Sequence, residues 1–338
     1  MNPVILYTLI SLGGIGFILG ALLAFASKKF SVEIDPKVEQ VLDILPGVNC
    51  GGCGYAGCAV YAESVVTQGV TPTLCAPGGA EVVQKLSKIL GLEVTPTVRK
   101  VAYLHCAGSK DKSKDKYRYD GVENCRIAVL LGGGHKACDY GCLGFGDCVL
   151  VCKFDALHMD DDGLPVVDRE KCTACGACVK ICPKNIFTLQ PKTTSIYLAC
   201  SSHERGKTVK EVCSVGCIGC GICVKVTEDD AIEMKDNLPS IQYDDSPNLI
   251  LAKYKCPTNS YIDLAPKRPH MNINTKCKGH GKCVEVCPVK DCIAGEPGKQ
   301  HYIDPKKCIG CGFCLGVCPE KAIHVVGAMG YVGMDMAR

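Results

Sequence analysis

Twenty-eight of the 338 residues are cysteine, and most of them recur at the spacings CxxC and CxxxCP. A long chain with that many thiols either crosslinks itself with disulfides or holds metal, and the compartment decides between the two. Residues 3–26 contain no charged side chain, and about 20 apolar residues suffice for a helix to cross a bilayer. Lys28 and Lys29 follow this stretch and no basic residue precedes it. The positive-inside rule then leaves the N-terminus outside and everything after residue 30 in the cytoplasm. The cysteines meet a reducing compartment, which favours metal. Ala24-Phe25-Ala26 has the form of a signal-peptidase site, but the basic region that opens a signal peptide is missing. Gly16, Gly20 and Ala24 fall four apart and form a small-residue face suited to a second membrane helix.

The rest of the chain has no tryptophan and the whole only 6% aromatics, so ordinary apolar cores are thin. Metal binding can replace the missing burial, because a site absent from the unfolded chain turns binding free energy into folding free energy. The apoprotein is expected to be largely unfolded.

Beyond the apolar stretch, Val38, Val41, Leu42 and Leu45 repeat at helical spacing up to Pro46-Gly47. A glycine-rich loop follows with Cys50, Cys53 and Cys58, and Cys75 lies further on. Four thiolates satisfy one cubane cluster, and zinc is the competing metal. Gly52, Gly54 and Gly57 also match the GxGxxG dinucleotide pattern, but no predicted strand leads into them.

Next come Cys138, Cys142, Cys148 and Cys152, then Cys172, Cys175, Cys178 and Cys182-Pro183. The second group is the CxxCxxCxxxCP run of bacterial ferredoxins, whose fourth cysteine ligates the neighbouring cluster. Crossing the ligands gives Cys138, Cys142, Cys148 and Cys182 for one cluster and Cys152, Cys172, Cys175 and Cys178 for the other. Lys153 stands where proline is usual.

The unit recurs twice. In the last copy, crossing assigns Cys287, Cys308, Cys311 and Cys314 to one cluster. Cys277, Cys283 and Cys318 remain for the other, with His280 in the fourth slot. A ligating His280 gives a 4Fe-4S cluster of raised potential, and its absence leaves a 3Fe-4S cluster. The middle copy keeps Cys217, Cys220, Cys223 and Cys256, whereas Thr227, Ser246, Leu249 and Ala252 occupy all four positions of its second cluster. One cluster is expected there, with Leu249, Ile250 and Leu251 filling the vacated space.

The expectation is six iron–sulfur clusters, mostly 4Fe-4S, which would turn the formal charge of +3 into about −8. Cys106, Cys125, Cys200, Cys213 and Cys292 are left over and read as ordinary thiols, although Cys213 stands four before Cys217 and competes for its slot. Residues 110–118 form a basic stretch diluted by two aspartates, read as a solvated loop in preference to a surface for an acidic partner or anionic lipid. Gly132-Gly133-Gly134 lacks the Lys and Ser/Thr of a phosphate loop and reads as a turn. No nucleophile, acid–base pair, flavin motif or nucleic-acid motif is apparent.

The order of these modules, with the stretch from Cys138 to Cys148, resembles the B component of the Rnf complex, its iron–sulfur electron-transfer subunit, over essentially the whole chain. The resemblance implies a membrane complex that passes electrons between reduced ferredoxin and NAD and couples this to Na+ or H+ translocation. The B component would accept the ferredoxin electrons, and NAD and flavin would bind other subunits. The expected fold is α+β: a transmembrane helix and flank (1–30), a small helical 4Fe-4S domain (31–98) and tandem ferredoxin-like modules (99–195, 196–268 and 269–338), the middle one degenerate. The partners are other complex subunits, soluble ferredoxin and membrane lipid. The alternatives are a polyferredoxin subunit of another membrane oxidoreductase, or of a complex that reduces an iron–sulfur regulator, and a membrane-tethered zinc protein.

Overall fold

The computed structural model describes residues 3–29, 35–92, 98–227, 230–244, 247–265 and 268–327. Its first element, α1 (Pro3–Lys29), ends on Lys28 and Lys29. The portion Ser11–Lys29 is long and apolar enough to span a membrane, and none of it is buried inside the protein. Phe17, Leu22, Leu23 and Phe25 are all exposed. An apolar face of that extent fits a hydrocarbon surrounding.

Three helices follow: α2 (Pro36–Ile44), α3 (Cys58–Thr67) and α4 (Gly79–Leu90). The Asp35 carboxylate caps α2 by accepting from the Lys37 N–H, and Pro36 sits at the first turn, where its missing N–H goes unused. Val41, Tyr61, Ala62 and Leu86 form a buried core that also takes in Cys75, and Cys53 and Cys58 pack against it.

The remaining chain repeats one plan three times. The first copy holds β1 (Lys100–Leu104), α5 (Cys125–Ala128), α6 (Asp147–Leu150), β2 (Leu157–Met159), β3 (Pro165–Val167), α7 (Ala177–Ile181) and β4 (Phe187–Pro191). The second holds β5 (Ile196–Leu198), α8 (Gly206–Val212), α9 (Ile222–Val226), β6 (Ile232–Lys235), β7 (Leu238–Ile241), α10 (Ile250–Lys255) and β8 (Tyr261–Asp263). The third holds β9 (His270–Ile273), α11 (Lys282–Glu285), β10 (Ile293–Ala294), β11 (Tyr302–Ile303), α12 (Phe313–Val317) and β12 (Ile323–Val326). In each copy the outermost strands pair antiparallel: Leu104 opposite Phe187, Leu198 opposite Tyr261, and Ile273 opposite Ile323. The inner strands pair with each other, also antiparallel. Two-stranded sheets and helices of four to seven residues are too short to stand alone in water, so the cores around the cysteines hold them.

The repeat is visible in the backbone as well. α6, α7, α9, α11 and α12 each start after a glycine in the left-handed region, with φ between 67° and 81°, and each carries a cysteine as its second residue. Their counterpart α10 departs from this and starts after Leu249 at φ −91°. That half of the middle copy has lost the glycine turn together with its cysteines. Leu249, Ile250 and Ala252 are buried there beside Cys217 and Cys223, and Leu251 is half-buried. Ser246 lies outside the described residues.

The basic stretch 110–118 is not a free loop. Its charged side chains are exposed, but Ser113 is buried and its backbone bridges Cys213, while Asp115 bridges Lys136. It ties the α8 segment to the segment leading to Cys138. Gly132, Gly133 and Gly134 form a turn with positive φ.

Candidate metal centres

In the N-terminal helical domain, the loop between α2 and α3 is shaped by Asn49, which adopts φ 50° and accepts from the Cys58 N–H at 2.7 Å. Cys50, Cys53, Cys58 and Cys75 come together: burial first, then the neighbouring Cys58, Cys50 and Cys53, push the Cys75 thiol up.

The ferredoxin run 172–178 gathers with Cys152. The four line one cavity between β1 and the 172–178 loop, with about 340 Å³ of atom-free space. Burial and the adjacent Cys172 and Cys175 push Cys178 up to about 12. The loop around Cys50 abuts this quartet. A Cβ on Gly52 would lie 2.7 Å from the Cys175 carbonyl oxygen, and Lys180 and Lys153 donate to the Gly51 and Asn49 carbonyls at 3.2 Å each. The lysine that replaces the usual proline after Cys152 therefore clasps the N-terminal domain.

The partner site of this copy departs from the spacing-based grouping. Burial, then Cys125 and Cys182, push the Cys148 thiol up to about 12, and Cys142 faces Cys106 first and then Cys148 and Cys125. Cys125, Cys142, Cys148 and Cys182 are the set brought together, with Cys125 in the position expected of Cys138. Three residues before Cys148, where a ferredoxin has a ligand, stands Phe145, whose ring packs 5.3 Å from both Tyr119 and His135. Cys138 instead faces Cys106, Cys200 and Cys213; burial and these neighbours push it up to about 11.

In the middle copy, Cys217 lies with Cys200 and with Cys223 and Cys256, and Cys223 lies with Cys220 and Cys256. In the last copy, Cys311 and Cys314 lie with Cys287 and Cys308 around about 320 Å³ of atom-free space. Cys292 joins this cavity as a fifth thiol, facing Cys287 and Cys308. Cys283 lies with Cys277 and Cys318. His280 is 44% exposed, with its Nε2 3.9 Å from the Glu320 carboxylate. A second imidazole, His301, is only 3% exposed, and its Nδ1 lies 3.9 Å from the Cys277 sulfur. Sequence spacing carries no signal for His301, which stands 24 residues from Cys277.

Backbone amides donate to the sulfurs at recurrent positions. Ala156, Ser260 and Ala322 each donate at 3.4 Å to the cysteine four residues before them, namely Cys152, Cys256 and Cys318. Ala102 donates to Cys172 at 3.4 Å and Met271 to Cys308 at 3.5 Å. Such donors stabilise thiolates and tune cluster potential. A tetrahedral zinc needs its sulfurs about 2.3 Å from a single point, and among the described residues no three His, Cys, Asp or Glu converge that way. The cysteines are free of disulfides. The donor set fits iron–sulfur clusters.

Known proteins share these features. A family of Fe-S cluster domains matches residues 45–77, and 4Fe-4S binding domains match residues 165–188, 301–324 and 277–291. The chain is 40% identical over 71% of its length to the B component of the ion-translocating oxidoreductase complex of Methanosarcina acetivorans, covering 91% of that protein. It is 40% identical over 73% of its length to the B component of the Na(+)-translocating ferredoxin:NAD(+) oxidoreductase complex of Acetobacterium woodii, covering 74% of it. It is 43% identical over 77% of its length to the corresponding subunit of the proton-translocating complex of Clostridium ljungdahlii, covering 92% of it. With this identity, the membrane-candidate helix and the cysteine quartets together, the chain belongs to the family of the B component of the ion-translocating ferredoxin:NAD oxidoreductase, the Rnf complex.

Proposed function

We propose that this chain is a single-pass, membrane-anchored subunit that accepts electrons from reduced ferredoxin through its C-terminal module. It relays them to the domain of Cys50, Cys53, Cys58 and Cys75, for onward transfer to other subunits of an Rnf-type complex coupled to Na+ or H+ translocation. The N-terminus lies outside and the cysteine-bearing modules lie in the cytoplasm, on the evidence of Lys28 and Lys29. The observation that carries this reading is the seam at Gly52, where the helical domain next to α1 meets the backbone of Cys175.

When bound, each cluster supplies one-electron redox chemistry. The protein's part is to hold the ligands, exclude water and set the potential through amide donors. The ligands we assign are Cys50, Cys53, Cys58 and Cys75; Cys125, Cys142, Cys148 and Cys182; Cys152, Cys172, Cys175 and Cys178; Cys217, Cys220, Cys223 and Cys256; Cys287, Cys308, Cys311 and Cys314; and Cys277, Cys283 and Cys318. His280 completes the last set as a 4Fe-4S site, or that site is 3Fe-4S. An EPR spectrum of the oxidised protein separates the two, since only the three-iron form gives an oxidised signal. In the purified complex, Cys53→Ser is expected to preserve oxidation of reduced ferredoxin by this subunit and to abolish NAD reduction. Normal NAD reduction by that variant would refute the relay.

A further inference from the structure

Cys106, Cys138, Cys200 and Cys213 are far apart in the chain, and of the four only Cys138 stands in a ligand run expected from spacing. They nevertheless line one cavity between the first and middle copies. Cys106 follows β1, Cys138 follows the triple-glycine turn, Cys200 follows β5, and Cys213 ends α8. The cavity holds about 440 Å³ of atom-free space, of the same order as the 340 and 320 Å³ at the two complete ferredoxin quartets. Four thiols that served only as core would be expected to pack against each other and their neighbours, because interiors are close-packed.

The sulfurs here receive backbone amides as in the ferredoxin sites. The Cys142 N–H donates to the Cys106 sulfur at 3.4 Å. The Cys217 and Ser202 N–H groups donate to the Cys200 sulfur at 3.3 and 3.5 Å. Backbone also comes close at Gly108 and Gly216, where a Cβ would lie 3.6 and 3.7 Å from the Cys213 sulfur. A charged residue lines the cavity too: Lys136 is only 8% exposed and is paired with Asp115 at 3.2 Å.

We propose that Cys106, Cys138, Cys200 and Cys213 bind an additional iron–sulfur cluster, a cubane held by four thiolates. Its position gives it a use that rests on the relay reading above. Cys142 belongs to the quartet of Cys125 in the first copy, and Cys217 to the surviving quartet of the middle copy. Each donates its own amide directly to a ligand of this site. The middle copy has lost one of its two clusters, and this site lies between the two copies where a connection is needed. One electron arrives from one side and one leaves on the other, with no bond made or broken.

The test uses the full chain, purified anaerobically in detergent, with iron, acid-labile sulfide and zinc counted per chain. The wild type is expected to hold about 28 irons, or about 27 with a three-iron site, against about 24 or 23 if these four thiols are unloaded. The double variant Cys200→Ala/Cys213→Ala is expected to lose about four irons and four sulfides and keep the rest. A wild-type count at the lower value overturns the proposal, as does retention of the full count by the variant or zinc in place of sulfide. If the variant fails to fold and loses all its iron, the wild-type count alone decides. Ferredoxin takes no part in this count, so a full count in protein that ferredoxin cannot reduce would refute the relay and leave the site standing.

Discussion

Gly52 and Cys125 carry the most specific consequences of individual residues. A methyl group on Gly52 would meet backbone, at 2.7 Å from the Cys175 carbonyl oxygen, and backbone cannot swing aside as a side chain can. Gly52→Ala is therefore expected to weaken docking of the N-terminal domain by about 1–3 kcal/mol, the usual cost of overpacking. Limited proteolysis of the segment that joins this domain to the first copy should become faster. An unchanged rate would show that the seam is not under close contact. Cys125 is indistinguishable in the sequence from an ordinary thiol, yet it sits with Cys148 and Cys182. Cys125→Ala should cost about four irons per chain, whereas a ligand set containing Cys138 in its place predicts no loss.

Among the elements, α10 is the informative one. It occupies the half of the middle copy where glycine and cysteines are gone, and the residues at its start are packed into the core: Leu249 is 2% exposed. If packing has taken over the role of metal there, Leu249→Ala should destabilise the middle copy by about 2–5 kcal/mol, as for other buried leucines. Thermal unfolding of the loaded protein followed by circular dichroism measures this, and a shift near zero would mean that the space is not filled by this side chain. The equivalent helix α12 starts after Gly312 at φ 81° and carries Cys314 instead. The two helices thus contrast a half filled by apolar side chains with a half that keeps its glycine turn and candidate ligand.

At the scale of the molecule, four small cores surround the cysteines, and the strands between them are two to five residues long. Each core contains or touches candidate ligand cysteines, so removal of metal should take away the element that organises it. Anaerobic chelation of iron is expected to abolish most of the far-UV circular dichroism of the cysteine-bearing domains while sparing the signal of α1. Retention of the full spectrum would show that the cores stand without metal.

Features that depend on short spacing were legible in the residues alone. The CxxCxxC triads, the CxxC of Cys50 and Cys53 and the amphipathic α2 are local, because cysteines three residues apart on one loop can face one site whatever the rest of the chain does. The apolar stretch of α1 and the loss of cysteines in α10 are legible for the same reason. How distant cysteines group is set by the fold. Phe145 stands in the middle slot of the expected triad, Cys125 comes beside Cys142 and Cys148 from well upstream in the chain, and Cys138 faces Cys106, Cys200 and Cys213. That regrouping depends on the pairing of β1 with β4 and of β5 with β8 and on the anchoring of the 110–118 backbone. These contacts join segments far apart in the chain, and no periodicity in the sequence encodes them.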